Sequence, residues 1–212
     1  MKIYNRFDST KVVLDYPSDS LVGADLRNAD LNYANLYNAD LHNADLRYAD
    51  LRYADLRNAD LRNANLRYAN LYNADLGYAD LRNADLCNAN LRYAYLRYAD
   101  LGYADLRNAD LCNADLRYAN LYKADLRNAI INWQSHDLLA EILRQNATSI
   151  KEFMLAGLLL NRRDLCWKGF FSLSEKDEIF IKDKIWVSKV FKKYEIEGNK
   201  IPFDGEFWNE MV

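Results

Sequence analysis

The sequence predicts a mainly β chain in which a coil of very short strands is followed by a small α-helical domain. Leucine recurs at every fifth position from Leu21 to Leu126, 22 times without a gap. Alanine stands two positions before every one of these leucines after the first. After Ile131 the pattern ends, and apolar residues recur at helical spacing instead. A repeat this strict determines the architecture of the segment that contains it.

A period of five fits neither a helix nor a straight strand. Residues five apart on an α-helix differ by about 140° in azimuth, so the leucines would spiral around it. Strand side chains alternate with period two, and five is odd. The pattern fits if alanine and leucine point inward while the residue between them and the two residues after leucine point outward. Two successive outward residues indicate a bend, so each pentad is a short strand followed by a turn.

The number of sides is left open by the periodicity alone. If each bend turns about 90°, four pentads close a coil of about 20 residues, stacked at about the 4.8 Å strand spacing. The unit Ala-(Asp/Asn)-Leu-X-X, as in residues 44–48, resembles the pentapeptide-repeat family. The resemblance implies a right-handed, four-sided parallel β-helix over residues 21–131, a solenoid of roughly five and a half coils at that coil length.

Leucine and alanine are expected to fill the interior of this solenoid. Each buried leucine contributes roughly 1.5–3 kcal/mol of apolar stabilisation, and the small alanine lets opposite walls approach closely. The predicted core of the middle coils consists of Leu41, Leu46, Leu61, Leu66, Leu81, Leu86, Leu101, Leu106, Ala64 and Ala84.

Residues 1–20 precede the repeat and contain two short apolar runs. Asp8, Ser9 and Thr10 separate the runs, and turn-forming residues follow the second one. The pattern predicts a hairpin or a pair of short strands. We expect this segment to cover the first coil and to block edge-to-edge association there.

Residues 132–212 are predicted to form the small helical domain. Ser135, Ser149 and Ser174 are each placed to begin a helix, and a further short helix is predicted over residues 164–171. Whether this domain caps the solenoid or pairs two chains is left open, so a homodimer is left open too.

Residues 131–137, Ile-Asn-Trp-Gln-Ser-His-Asp, resemble a tail of some bacterial and prophage members of the same family. No function follows from that second resemblance.

Composition excludes several classes of function. The net charge is −3, and acids and bases are balanced along the chain, so no block is basic enough to predict nucleic-acid binding. No apolar run approaches the roughly 20 residues of a membrane span. The first residues lack the hydrophobic core of a signal peptide. Three cysteines at irregular spacing indicate a reducing compartment, and we expect the protein to be cytoplasmic.

No combination of residues predicts catalysis, a metal site or a cofactor. His42 and His136 have no partner at a useful spacing, and Cys87 and Cys112 fall on different faces of the predicted coil. Cys166 lies in an apolar helical segment, where cysteine is typically a small buried hydrophobe. Phosphate-binding loops, nucleophile elbows and zinc-ligand spacings are missing from the sequence. We therefore expect a protein that is not an enzyme.

Folding the repeat on a 20-residue period defines four faces, which begin at Leu21, Leu26, Leu31 and Leu36. Asp or Asn precedes the repeat leucines from Leu26 to Leu126 in every pentad except the one with Tyr95, and Arg follows the leucine in 12 of 22 pentads. The predicted coil therefore carries aspartate columns beside arginine columns. Exposed ion pairs contribute only about 0–1 kcal/mol, so we interpret the columns mainly as a solubility and register device.

The second residue after leucine is Asn 11 times and Tyr 9 times among 22 pentads. Asn tolerates the left-handed backbone that a corner requires, and Tyr does not share that tolerance. We therefore expect Tyr corners to use a different turn type. Tyrosines in register predict stacked rings along the corners. An alternative is an aromatic and arginine-rich surface for a partner, with the candidate residues Arg47, Arg67, Arg107, Tyr78, Tyr98 and Tyr118.

Two functions from different classes follow. The first is a non-enzymatic scaffold that binds an unidentified protein partner. The second is implied by the resemblance, because some pentapeptide-repeat proteins mimic duplex DNA, bind DNA gyrase and protect against quinolones. Acids exceed arginines by two, zero, one and zero on faces one to four, so no face offers the continuous acidic stripe of a DNA mimic. Direct DNA binding is not expected either, since neighbouring acids neutralise the arginines.

Overall fold

The structure is a computed structural model that describes residues 1–130. The helical domain predicted over residues 132–212 and the tail-like residues 131–137 lie outside the described residues. Those parts of the sequence-based interpretation stay predictions.

Residues 21–130 form a stack of 20-residue coils, called the rod below. From Asp25 to Asp110, each residue that precedes a repeat leucine forms a one-residue parallel bridge with the residue 20 positions later, the first joining Asp25 to Asp45 and the last Asp110 to Ile130. At the first of these bridges the N–H of Asp45 donates to the carbonyl of Ala24 at 2.9 Å. Bridges recur every five residues, so four of them complete a coil. The mainly β repeat is confirmed with four sides, and its right-handed sense stays a prediction.

The interior of the rod is filled by the two inward columns. All 22 repeat leucines are at most 4% exposed. The ten residues predicted for the mid-rod core are at most 1% exposed: Leu41, Leu46, Leu61, Leu66, Leu81, Leu86, Leu101, Leu106, Ala64 and Ala84. Constant residue size along each column keeps every coil the same width, so the coils stack without gaps.

Each corner is a four-residue turn that begins at the leucine. The N–H of Ala44 donates to the carbonyl of Leu41 at 2.9 Å, and the third residue of the turn, Asn43, has φ of 60°. A positive φ at the third residue alone, with this hydrogen bond, defines a type II turn. All 22 corners have a positive φ at this position.

The expectation that Tyr corners use a different turn type is wrong. The nine Tyr corners have φ between 57° and 63°, and the eleven Asn corners between 55° and 60°. The neighbouring coil imposes this backbone, because the N–H of the corner residue donates to a carbonyl one coil further on, as from Tyr48 to Arg67 at 3.1 Å. Tertiary hydrogen bonds therefore override the local preference of tyrosine.

The residue before the leucine, Asp or Asn in 20 of the 22 pentads, completes the hydrogen bonding of the turn. The N–H of the first residue after leucine has no backbone acceptor within the described coils, and it donates instead to the side chain two positions earlier, as from Arg47 to Asp45 Oδ1 at 3.2 Å. This bond is present in 21 of the 22 turns. A short oxygen-bearing side chain is favoured here because a backbone N–H without an acceptor is costly.

The N-terminal segment forms a two-stranded antiparallel sheet. Strand β1 spans Lys2–Tyr4 and strand β2 spans Val12–Asp15, with Ile3 opposite Leu14. Ile3 is buried, while both ends of β1 are exposed.

This hairpin covers one edge of the first coil. An antiparallel bridge joins Asn5 to Ala34, and the N–H of Asn35 donates to the carbonyl of Tyr4 at 2.7 Å. In later coils the equivalent N–H donates to the preceding coil, as from Asp55 to Ala34 at 2.9 Å. The hairpin thus satisfies backbone groups that would otherwise form an open strand edge.

Candidate functional site

Aspartate and arginine two residues apart form the outward ion pairs of the rod. Arg47 donates from Nε to Asp45 Oδ1 at 2.8 Å and from Nη2 to Asp45 Oδ2 at 2.6 Å. This fork-to-fork geometry gives both strength and a fixed orientation. It recurs in nine pentads, those of Arg27, Arg47, Arg52, Arg57, Arg62, Arg82, Arg107, Arg117 and Arg127.

These hydrogen bonds keep the aspartates ionised. The side chain and N–H of Arg27 lower the pKa of Asp25 from 3.8 to about 2. The pKa values of Asp45 and Asp80 are lowered as well, first by the side-chain hydrogen bonds from the following arginine and against the opposing effect of burial. Such carboxylates are poor general acids or bases near neutral pH.

Departures from the Asp–Leu–Arg triplet compensate each other across neighbouring coils. Arg67 follows an asparagine instead of an aspartate, and its Nη1 donates to Asp85 Oδ2 in the next coil at 3.4 Å. Asp85 accepts this bond because Cys87 stands where its own arginine would be. Arg92 repeats the arrangement with Asp110 at 3.3 Å. The charges are therefore paired between coils where they cannot be paired within one.

Tyrosines in register stack along the corners. The ring of Tyr98 lies 4.8 Å from that of Tyr78 and 4.8 Å from that of Tyr118, with interplanar angles of 13° and 8°. Tyr48 and Tyr68 stack in the same way at 5.0 Å. A longer column combines stacked, tilted and edge-on rings: Phe7, Tyr33, Tyr53, Tyr72 and Tyr93. The 4.8 Å spacing matches the distance between neighbouring strands.

The six candidate interaction residues do not form one surface. The three arginines follow leucines of face two and the three tyrosines occupy corners after face four, so the two sets lie half a coil apart: Arg47, Arg67 and Arg107 on one side, Tyr78, Tyr98 and Tyr118 on the other. Each of these arginines is also engaged by a carboxylate within the rod. The tyrosine set has a different arginine beside it.

That arginine, Arg97, was not among the candidates. Its guanidinium lies over the ring of Tyr98, 5.8 Å from the centroid, and Arg97 is exposed. Among the twelve repeat arginines it alone forms no ion pair with a carboxylate of residues 1–130. The turn at Arg97 is also the one in which the N–H after leucine has no side-chain acceptor, because Tyr95 replaces the usual Asp or Asn.

Other kinds of site are not apparent in the part of the chain that the structure describes. Residues 1–130 contain no group of three His, Cys, Asp or Glu side chains placed to hold a metal ion. In the same range no helix has the length and hydropathy needed to cross a membrane.

Comparison with known proteins connects this geometry to a family. The family described as pentapeptide repeats, with eight copies of its unit, matches four overlapping segments, residues 20–47, 39–77, 69–102 and 94–132. None of the curated proteins compared with this chain matches it significantly.

Several solved structures share the repeat. The pentapeptide repeat protein Rfr23 from the cyanobacterium Cyanothece 51142 is 37% identical over 43% of this chain and 58% of its own, with a TM-score of 0.26. HetL, a pentapeptide repeat protein involved in heterocyst differentiation regulation in Nostoc sp. strain PCC 7120, is 35% identical over 53% of this chain and 59% of its own, with a TM-score of 0.23.

A trypsin-treated form of QnrB1, a plasmid-mediated fluoroquinolone resistance protein, is 23% identical over 54% of this chain and 64% of its own, with a TM-score of 0.44. The chain thus spans less than two thirds of the length of each of these three relatives. The family match covers residues 20–132, which is more than half of the sequence. The chain belongs to the pentapeptide repeat family.

Proposed function

We propose that this chain is a non-enzymatic protein-interaction module whose rod presents fixed rows of Asp, Arg and Tyr side chains to a partner protein. The observation that carries the proposal is the immobilisation of the outward side chains, in two-bond ion pairs and in ring stacks 4.8 Å apart. Side chains that are already ordered lose little entropy on binding, so the surface is preorganised for a partner.

The composition of the surface supports a protein partner. Tyrosine and arginine are enriched at protein interfaces and at the residues that dominate binding energy. Tyr78 is 63% exposed and Tyr98 is 41% exposed, although both rings are stacked. The family is generally non-enzymatic, and the aspartates bound by arginine are ill-suited to proton transfer.

Affinity capture followed by crosslinking tests the proposal. The full chain and its Leu81→Asp variant are immobilised side by side in native lysate. The variant serves as the control because a carboxylate at a buried leucine position disrupts the rod. We expect the wild type, but not the variant, to retain a protein from the lysate. That protein should crosslink to the Asp, Arg and Tyr rows of the rod. Equal retention by both proteins, or crosslinks confined to residues outside the rod, would reject the rod as the binding surface.

DNA mimicry remains the alternative that the family suggests, and the charge distribution favours it less. A DNA mimic needs unpaired acids in a continuous stripe, whereas most aspartates of the rod are bound by arginine. A gyrase supercoiling assay separates the two functions. Under our proposal, micromolar concentrations of the chain neither inhibit supercoiling nor relieve a quinolone. Inhibition at such concentrations would replace the scaffold proposal with this alternative.

A further inference from the structure

Nine of the 22 pentads contain a small carboxylate-binding site that their own aspartate fills. Three donors converge on the carboxylate of Asp45, namely the N–H, Nε and Nη2 of Arg47, at 3.2, 2.8 and 2.6 Å. The same three donors hold an aspartate in eight other pentads. The turn fixes the N–H and the guanidinium is a planar fork, so the three donors together match a planar, two-oxygen anion.

Residue 97 has these donors without the carboxylate. Tyr95 stands where the aspartate would be, and neither the N–H nor the guanidinium of Arg97 has an acceptor among the described residues. Asp115 in the next coil lies within electrostatic reach of Arg97 but forms no ion pair with it, and its carboxylate accepts from Arg117, with Nε to Oδ1 at 2.8 Å. Arg97 is therefore the one repeat arginine of residues 1–130 that has no carboxylate in direct contact.

The surroundings of Arg97 are aromatic. Tyr95 is 52% exposed, and Tyr98 and Tyr78 form a stacked pair next to the guanidinium. Gly77 lies one coil before Arg97 and carries no side chain, and a Cβ there would lie 3.8 Å from the Arg97 carbonyl oxygen. Gly77 is buried, so it adds no exposed side chain beside Arg97 and the three tyrosines.

We propose that Arg97, with Tyr95, Tyr98 and Tyr78, is a docking site for an acidic segment of a partner protein. An Asp or Glu side chain of the partner supplies the carboxylate that this pentad lacks, and an apolar side chain next to it packs on the tyrosines. Charge complementarity selects the anion, and an arginine flanked by tyrosines is the composition of a binding hot spot. This site rests on the proposed function, since it specifies where on the rod the partner binds.

Restoring the missing aspartate gives a sharp test. Tyr95→Asp converts the pentad to the common pattern, so the new carboxylate should bind Arg97 internally and exclude a partner carboxylate. Asn65→Asp is the matched control, because it makes the same change of net charge in the pentad of Arg67, on the opposite face. Arg97→Gln and Arg67→Gln form a second matched pair. Thermal melting of all four full-length variants verifies that each one folds.

The probe is a random 12-residue peptide library displayed on phage and selected on the immobilised full chain. Selected peptides are synthesised, and their Kd values are measured by fluorescence anisotropy. We expect enrichment of Asp or Glu beside Leu, Phe or Tyr. Tyr95→Asp and Arg97→Gln should each raise the Kd about tenfold or more, because each removes one charge-assisted hydrogen bond between Arg97 and the peptide. The two variants at the pentad of Arg67 should change the Kd less than about twofold.

Three outcomes overturn the site. Peptides without an acidic residue would show that the site does not select a carboxylate. Acidic peptides that are equally sensitive to the variants of both pentads, or insensitive to all of them, would place binding elsewhere while leaving the proposed function intact. Failure to select any peptide also rejects the site, whereas the lysate capture judges the proposed function independently.

Discussion

Two pentads of the rod, residues 64–68 and 94–98, share alanine, leucine, arginine and tyrosine and differ only in the residue before the leucine. Asn65 accepts a hydrogen bond from the N–H of Arg67 at 3.2 Å, and the arginine side chain reaches Asp85. Tyr95 offers no acceptor to Arg97, whose charge stays unpaired among the described residues. Both leucines and both alanines are nevertheless buried to the same extent.

The difference shows that the interior and the exterior of this fold obey separate requirements. The interior requires only leucine and alanine at fixed positions, and it forms equally well around either pentad. The exterior requires complementary residues within a pentad and between coils. A pentad can therefore lack the outward ion pair and still pack its leucine and alanine. Its outward side chains are then available to bind a partner.

The largest predicted effect is the loss of stability when the buried leucine of either pentad is shortened, and this loss should be the same in both pentads. Leu66→Ala and Leu96→Ala should each lower the free energy of unfolding by about 2–5 kcal/mol, because each leaves a cavity in a packed column. Both leucines are fully buried, so the two losses should agree within about 1 kcal/mol. Urea denaturation followed by circular dichroism measures them. A much smaller loss at Leu96 would show that the two pentads differ inside as well as outside.

Tyrosine stacking should distinguish the two corners. Tyr98 stacks on two rings and Tyr68 on one. Tyr98→Ala should therefore destabilise the rod more than Tyr68→Ala, by about 0.5–1.5 kcal/mol for the additional ring pair. Both variants keep a Cβ at positive φ, so the backbone cost cancels in the comparison. Equal losses in the denaturation experiment would mean that the stacks only cover the corners.

Tyr95→Asp should stabilise the rod at neutral pH by about 1 kcal/mol, since it gives the N–H and guanidinium of Arg97 an acceptor. Equivalent aspartates have a pKa below the ordinary 3.8, and that of Asp25 is about 2. The folded state then binds fewer protons than the unfolded state, so stability is present above pH 4 and is lost as the pH falls toward 2. Melting temperatures of variant and wild type should converge over that interval. A constant difference down to pH 2 would argue against an ionised carboxylate.

Removing the arginines should have the smallest effect on stability. Arg67→Gln eliminates an exposed ion pair and should cost less than about 1 kcal/mol. Arg97→Gln eliminates no ion pair within residues 1–130 and removes only the contact with the Tyr98 ring, so it should lower the melting temperature less than Arg67→Gln, which loses an ion pair and the equivalent contact with Tyr68. Differential scanning calorimetry compares the two. A larger loss at Arg97 would indicate a structural role and would weaken its assignment to partner binding.

The sequence predicted the repeat fold because every inward position carries the same residue. Its prediction for the Tyr corners failed because local propensity was weighed without the hydrogen bonds that Tyr48 and its equivalents make to the next coil. Arg97 was missed for a different reason. Ion pairing depends on residues two positions earlier and 18 positions later, so Tyr95 and Asp115 have to be considered together to show that Arg97 forms no ion pair within residues 1–130. The totals of acids and arginines on each face do not reveal such an unpaired arginine.

The 20-residue bridges described above bear on how genes for such chains change length. Deleting five codons would remove one pentad and leave leucine and alanine inward, so the interior would still close. Every bridge across the deletion would then join residues from different faces, and pairs such as Arg67 with Asp85 would lose each other. Loss or duplication of 20 codons preserves these pairs. Gain or loss of a whole 20-residue coil therefore keeps the ion pairs between coils, whereas gain or loss of a single pentad keeps only the leucine and alanine core.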